Sequence, residues 1–305
     1  MAGSLTDYIL VLLGTGSPLP SSDRCGAGQA VIAGDSRILV DCGWGAARRL
    51  FAAGIPPTAV DNLLITHLHS DHITDIPDFL IMRWTGGATR PLAVYGPAGT
   101  REMIDGFLAA LAHDIRFRKG HHGEKLQDEG IRCDVREVPA EPGGVLVGEI
   151  GGATVWAFAV DHYPVVPALG FRFERDGRSL AISGDTKACD GLVNAARDAD
   201  LLLCEAMNRK MWRAMLDRLR AVGAANAAAL LTEAMEYHIG TDEVAGIARD
   251  AGVKSLVLTH VMPAVPPEEK ALIAAFADGM ADIFHGEIVV GRDLQRFSIG
   301  DKEAD

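Results

Sequence analysis

Short apolar runs recur along the chain, and several of them end abruptly at a polar side chain. Each run holds four to eight residues rich in leucine, isoleucine, valine and alanine, as expected for a buried strand. Five polar groups follow such runs: Asp41, His67, His162, Asp185 and His260. Side chains at strand ends can converge on one edge of a sheet assembly. The pattern therefore predicts strands that bring these five groups to a single site.

Segments with helical periodicity alternate with the strands, and hairpin-like strand pairs also occur. This combination favours mixed sheets in a layered α/β domain, and we expect one domain over residues 1–305. Residues 113–144 lose hydrophobic periodicity and predict an insertion or lid, with a solvated insertion preferred to a lid that grips substrate. Residues 207–236 are mostly alanine, leucine and arginine, and they predict one long helix or two.

The closest grouping of possible metal ligands in the sequence follows the apolar run at residues 63–66. His67, His69, Asp71 and His72 place three imidazoles and one carboxylate within six positions. Imidazole and carboxylate bind zinc and similar divalent ions, and a loop at a strand end lets such side chains converge. The alternative is a polar loop that only caps the strand, but four metal-binding side chain types exceed what a turn needs. The spacing predicts a metal site.

Composition limits the classes of function. The 305 residues are 48% hydrophobic and 23% charged, which is enough to bury a substantial core. No run approaches the roughly twenty apolar residues of a membrane span, so we expect no membrane association and a cytoplasmic location. The net charge of -12 disfavours a general electrostatic grip on nucleic acid, although a local basic patch is compatible with it.

Four motifs together resemble the metallo-β-lactamase superfamily. They are, in chain order, His67-x-His69-x-Asp71-His72, the lone His162, Ser183-Gly184-Asp185-Thr186 and Thr259-His260. The resemblance implies an α/β fold, an αββα sandwich of two mixed β-sheets flanked by helices, with the metal site at one edge. Within the superfamily the chain is similar to the branch shared by ribonuclease Z and the zinc-dependent arylsulfatases. That likeness rests on Leu13-Gly14-Thr15-Gly16, Tyr95-Gly96-Pro97, Gly170-Phe171-Arg172, Glu205 and His238.

The resemblance also implies two divalent metal ions, with zinc expected and manganese or iron as alternatives. Seven side chains are the implied ligands: His67, His69 and His162 for one ion, Asp71, His72 and His260 for the other, and Asp185 as the bridge between them. Two ions roughly 3.5–4 Å apart can hold a bridging hydroxide at neutral pH and polarise the bond under attack. Asp41 is expected to hold a ligand histidine instead of binding metal.

The implied reaction is hydrolysis of an ester bond without a nucleophilic serine or cysteine. His238, oriented by Glu205, is the candidate proton donor to the leaving oxygen. Asp71 is expected to serve catalysis as well as metal binding. The alternative is that His238 is only a helix-terminal histidine and Glu205 only a strand-end carboxylate.

Departures from ribonuclease Z decide the expected substrate. This chain has Cys204-Glu205-Ala206-Met207 in place of a His-Glu-Ala-Thr stretch, has Val261-Met262-Pro263 after His260, and shows no glycine-rich basic arm. We therefore expect a small-molecule ester substrate of the arylsulfatase or phosphodiesterase type, no nucleic-acid partner, and a homodimer. The alternative is a ribonuclease Z-like endonuclease that processes the 3′ ends of precursor tRNA.

Overall fold

The computed structural model describes residues 8–300, which contain fourteen β-strands. In chain order the strands are Tyr8–Gly14 (β1), Gly28–Ala33 (β2), Ser36–Val40 (β3), Val60–Leu64 (β4), Leu92–Gly96 (β5), Cys133–Glu137 (β6), Val145–Ile150 (β7), Ala153–Ala159 (β8), Leu169–Arg175 (β9), Arg178–Ile182 (β10), Leu201–Met207 (β11), Ser255–Met262 (β12), Glu287–Val290 (β13) and Arg296–Ser298 (β14). They form two seven-stranded sheets, ordered β14-β1-β2-β3-β4-β5-β6 and β13-β12-β11-β10-β9-β8-β7. Both sheets mix parallel and antiparallel pairs.

Nine α-helices lie among the described residues. They are Ala46–Ala52 (α1), Ser70–Ile73 (α2), Ile76–Thr85 (α3), Thr100–His122 (α4), Asp190–Ala196 (α5), Arg209–Ala221 (α6), Ala225–Glu233 (α7), Thr241–Asp250 (α8) and Lys270–Phe276 (α9). Leu50 of α1 and Phe79 of α3 pack on the outer face of the first sheet. Val244 of α8 and Phe276 of α9 pack on the outer face of the second. The predicted αββα sandwich is confirmed.

Side chains that alternate between two covered faces explain why inner strands such as β1 and β2 are almost wholly apolar. In β1, Leu10 and Leu12 face the second sheet, whereas Val11 and Leu13 pack in the cluster beneath the outer helices. A strand covered on both faces has no polar side, because successive side chains point to opposite faces. The core between the sheets includes Phe171 of β9, whose side chain is fully buried.

The two segments set apart by their composition have regular structure. The predicted insertion at residues 113–144 begins inside α4, which continues to His122, and it contains β6 at the edge of the first sheet. Most side chains of α4 and β6 are exposed or half-buried, so their apolar periodicity is weak. Residues 207–236 form two helices, α6 and α7, which separate at Gly223, where φ is +80°. The preferred solvated insertion at residues 113–144 stays a prediction, and the lid stays its alternative.

The expected single domain also stays a prediction, and its ends, residues 1–7 and 301–305, lie outside the described residues. Within residues 8–300, no helix combines the length and apolar character needed to cross a membrane.

Burial of Phe171 generates a stability prediction. Phe171→Ala removes a ring from the core between the sheets, and we expect it to lower the free energy of unfolding by about 3–5 kcal/mol. The matched control is Phe117→Ala, because Phe117 is 65% exposed on α4 and its loss should change stability by about 0.5 kcal/mol or less. Urea unfolding measures both; equal losses would contradict the assignment of the core.

Candidate metal centre

The predicted site residues come together at one edge of the sandwich. Asp41 follows β3, the segment 66–72 follows β4, and His162 follows β8. Asp185 follows β10, and His260 lies within β12. The five polar groups that end apolar runs in the sequence are therefore brought together, as the pattern predicts.

The first donor cluster contains His67, His69, His162 and Asp185, and their donor atoms lie within 4.8 Å of one another. His69 Nδ1 lies 3.1 Å from His67 Nε2 and 3.3 Å from His162 Nε2. Asp185 Oδ2 lies 3.8 Å from His67 Nε2 and 3.9 Å from His162 Nε2. Three nitrogens and one carboxylate oxygen thus face a common point.

The second cluster contains Asp71, His72, His260 and the same Asp185. Asp185 Oδ1 lies 3.3 Å from His72 Nε2, while Oδ2 of the same carboxylate lies 3.3 Å from His260 Nε2. Asp71 Oδ2 lies 3.1 Å from His260 Nε2 and 3.7 Å from His72 Nε2. Asp185 is therefore the side chain common to both clusters.

This donor set fits divalent metal. With metal–nitrogen distances of about 2.0–2.1 Å, ligand atoms of a tetrahedral site lie about 3.3 Å apart, close to the spacing around His69 Nδ1. His72 Nε2 is buried without a hydrogen-bond partner, as expected of an atom that points at a cation. His69 is the half-buried ligand and the other six are buried, so solvent reaches the site beside His69.

The charge states of Asp185 and His67 suit metal binding directly, whereas metal binding at His72 and His260 must release protons. Burial lowers the pKa of His72 and His260, but the neighbouring carboxylates outweigh it and raise both pKa values, that of His260 to about 9. Burial raises the pKa of Asp185, but the neighbouring His260 and His72 outweigh it and hold the pKa well below its usual range. Burial lowers the pKa of His67 well below its usual value. The carboxylate is therefore ionised and this imidazole neutral, the forms that bind metal.

Asp41 and Thr66 orient the second cluster. Asp41 Oδ2 accepts a hydrogen bond from His72 Nδ1 at 2.8 Å, and its carboxylate also accepts from the backbone N–H and hydroxyl of Thr66. This arrangement aims His72 Nε2 into the site. The expectation that Asp41 holds a ligand histidine agrees with this geometry, whereas Thr66 was missed because a lone threonine carries no sequence signal.

A β-bulge delivers His260. Glu205 pairs with Thr259 and Ala206 pairs with Val261, so His260 is an extra residue in β12, with φ at +46°. A bulge re-aims side chains while the ladder continues, which explains why β12 runs on to Met262 although the apolar pattern ends earlier.

Glu205 and His238 form a buried pair beside the clusters. His238 Nδ1 lies 2.8 and 3.0 Å from the two carboxylate oxygens of Glu205, which also accepts the backbone N–H of Thr186. Burial lowers the pKa of His238 to about 4. Glu205, His238 and His260 also lie close enough together to form a third donor group.

One positioning contact has no sequence signal at all. His162 Nδ1 lies 3.0 Å from the backbone carbonyl oxygen of Tyr237, which accepts its hydrogen bond and turns Nε2 toward the first cluster. Any residue at position 237 offers the same carbonyl, so only the fold identifies this contact.

Comparison with known proteins agrees with this fold and site. Residues 36–261 match the family described as the β-lactamase superfamily domain. The chain belongs to the β-lactamase superfamily.

Within the superfamily, the chain is similar to proteins named ribonuclease Z. It is 37% identical to that of Mycobacterium bovis (strain BCG / Pasteur 1173P2) over 293 residues, which cover 95% of this chain and 98% of the relative. It is 39% identical to that of Mycobacterium sp. (strain KMS) over 293 residues, with 95% of each chain covered.

Two solved structures share the fold. Human tRNase Z, short form, has a TM-score of 0.66 at 24% identity, covering 96% of this chain and 100% of that chain. The metallo-β-lactamase fold protein YhfI from Bacillus subtilis has a TM-score of 0.66 at 18% identity, covering 95% and 99%. The prediction of a metal-dependent hydrolase acting on ester bonds is confirmed by the family and its relatives.

The substrate prediction is wrong. The relatives named ribonuclease Z contradict a small-molecule ester substrate and the exclusion of nucleic acid, and they do not support an arylsulfatase-like assignment. The prediction failed because it used the net charge of -12 to judge affinity for nucleic acid. Binding to phosphates depends on where the cationic side chains lie on the surface and not on the total charge. The expected homodimer stays a prediction.

Metal binding should stabilise the fold. We expect chelator treatment to lower the unfolding temperature, because the buried donors lose the cation they surround. Zinc chloride at about 100 times its Kd should restore about 2.7 kcal/mol, measured by thermal unfolding against potassium chloride of equal ionic strength. His67→Ala should lose this gain and the exposed control His113→Ala should keep it. If zinc left the unfolding temperature of the parent protein unchanged, that result would contradict the predicted metal site.

Proposed function

We propose that this protein is a ribonuclease Z-like endonuclease that processes the 3′ ends of precursor tRNA. The observation that carries the proposal is 37% identity to a ribonuclease Z over 95% of this chain and 98% of the relative. The buried His and Asp clusters support it, because metal ions held there would neutralise negative charge on a phosphodiester.

The site is proposed to hold two divalent ions, with zinc as the expected metal. His67, His69 and His162 would bind one ion, Asp71, His72 and His260 would bind the other, and Asp185 would be a ligand to both. The shared position of Asp185 in both clusters supports the bridging role. When bound, such ions activate water as a nucleophile and neutralise charge on the phosphate.

His238 is proposed to protonate the oxygen that leaves the phosphorus. Glu205 holds the Nδ1 side of its ring, which leaves Nε2 for the leaving oxygen. Burial favours the neutral ring, but a phosphate entering the site adds negative charge beside it and favours the protonated form. A cytoplasmic location remains the expectation.

The direct test is cleavage of a precursor tRNA carrying a 3′ trailer. We expect the purified protein, with about two equivalents of zinc by elemental analysis, to release the trailer, and a chelator to stop it. Asp185→Asn should lower the rate by a factor of about 100 or more, because a neutral amide is a weaker bridge than a carboxylate. The exposed variant Asp278→Asn is the matched control and should cleave normally. A metal-loaded protein that leaves the precursor intact would refute the proposed function.

A second test separates proton donation from metal binding. His238→Ala should slow RNA cleavage by about 10²–10⁴-fold, because the leaving ribose oxygen is strongly basic. Hydrolysis of bis(p-nitrophenyl) phosphate should slow much less, because nitrophenolate is a stable leaving group. Metal content should stay unchanged, and His113→Ala should match the parent protein in all three measurements. Equal losses on both substrates would argue against proton donation, and the loss of one metal equivalent would make His238 a ligand.

A further inference from the structure

Helix α6 concentrates positive charge in an acidic chain. Its thirteen residues carry one acidic side chain, Asp217, whereas the whole chain has a net charge of -12. The basic side chains are Arg209, Lys210, Arg213, Arg218 and Arg220. Such a local excess of positive charge attracts a polyanion whatever the sign of the total charge.

Four of these cations form one stripe. At about 100° of rotation per residue, they fall within about 100° of the helix circumference. The members of this basic stripe are Arg209, Lys210, Arg213 and Arg220. Trp212 and Leu216 are buried on the adjoining face, which fixes the rotation of the helix and leaves Lys210 and Arg213 exposed.

The central cations of the stripe are free to bind an external anion. Among residues 8–300, no carboxylate lies within ion-pair distance of Lys210 or Arg213. The other two members of the stripe are paired: Arg209 with Glu243 at 2.8 Å and Arg220 with Asp217 at 2.9 Å. The basic end of α4 differs, because its Arg118 and Lys119 are paired with Asp114 and Asp128. Phosphate oxygens bind unpaired cations most favourably, because no carboxylate of the protein competes for the same N–H donors.

The stripe starts at the wall of the metal centre. Helix α6 begins immediately after β11, the strand that carries Glu205, and Asn208 caps it by accepting the backbone N–H of Met211 at 2.9 Å. Arg209 Nη2 donates to the carbonyl oxygen of His238 at 3.3 Å. From there the helix runs for thirteen residues, or about 20 Å, so its cations form a line that begins at this contact.

We propose that the basic stripe of α6 binds the phosphate backbone of the folded part of the RNA whose trailer is cut. This inference rests on the proposed function and adds the surface that holds the substrate beside the metal centre. A line of cations along a helix suits a backbone with regularly spaced phosphates, and it reads no base sequence. The stripe therefore contributes to affinity for all precursor RNAs alike.

The test removes two unpaired cations. Lys210→Ala/Arg213→Ala should raise the Kd for a precursor tRNA about tenfold at 150 mM salt, measured by fluorescence anisotropy on the metal-loaded protein. Two lost phosphate contacts should also reduce the slope of log K against log[salt] by about 1.4–1.8. Hydrolysis of bis(p-nitrophenyl) phosphate should stay within twofold of the parent, because neither side chain touches a donor cluster. Lys210→Arg/Arg213→Lys keeps both charges and should keep the parent affinity.

The matched control is Lys270→Ala/Arg249→Ala, which removes one exposed lysine and one exposed arginine from other helices. Equal weakening by the control would show that only total charge matters and would overturn the proposal. If the parent protein cleaves precursor tRNA but the stripe variant binds RNA as tightly as the parent, the role of the stripe is refuted and the proposed function stands. A parent that fails to cleave, yet binds RNA through the stripe, would refute the proposed function and leave this surface standing. Stripe-dependent binding of an acidic protein, with RNA unaffected, would assign the surface to another partner and overturn the proposal.

Discussion

The carboxylate of Asp185 is shared by two donor clusters, and each cluster takes histidines from both sheets. His67 and His72 follow β4 in the first sheet, whereas Asp185 and His260 come from strands of the second. Donor atoms from both sheets must meet within a few ångströms, so the distance between the sheets is a condition for the site. The apolar core between the sheets sets that distance, since close-packed interiors do not deform gradually.

Two residues of the site are held in a left-handed backbone conformation. Asp41 and His260 both have positive φ, at +56° and +46°, which costs of order 1–3 kcal/mol for each residue. The hydrogen bonds from Thr66 and His72 hold Asp41 in place, and the paired strands on both sides of the bulge hold His260. The strained backbone turns these side chains toward the site, whereas a regular strand would direct them elsewhere.

The donor clusters and the surface proposed to bind substrate differ in charge. The metal centre is an anionic and imidazole-rich cavity that suits cations, whereas the basic stripe of α6 suits an anion that is too large to enter it. Their contact through Arg209 and the backbone of His238 places the two surfaces side by side. An acidic protein can bind RNA in this way, because its cations act locally and within about a Debye length.

The apolar runs and their polar ends predicted mixed sheets in a layered α/β domain with polar groups at one edge, because burial on both faces and close spacing of His67, His69, Asp71 and His72 leave local patterns in sequence. The αββα sandwich and the complete ligand set came from the resemblance to the metallo-β-lactamase superfamily. Strand β6 was hidden because an edge strand with exposed side chains has no such pattern. The bulge at His260 and the carbonyl of Tyr237 that orients His162 were also hidden, because backbone geometry is not encoded by side-chain type at one position. The basic stripe also depended on the tertiary structure. The sequence shows how many arginines and lysines α6 contains, but the packing of Trp212 and Leu216 decides which of these side chains face solvent together beside the metal centre.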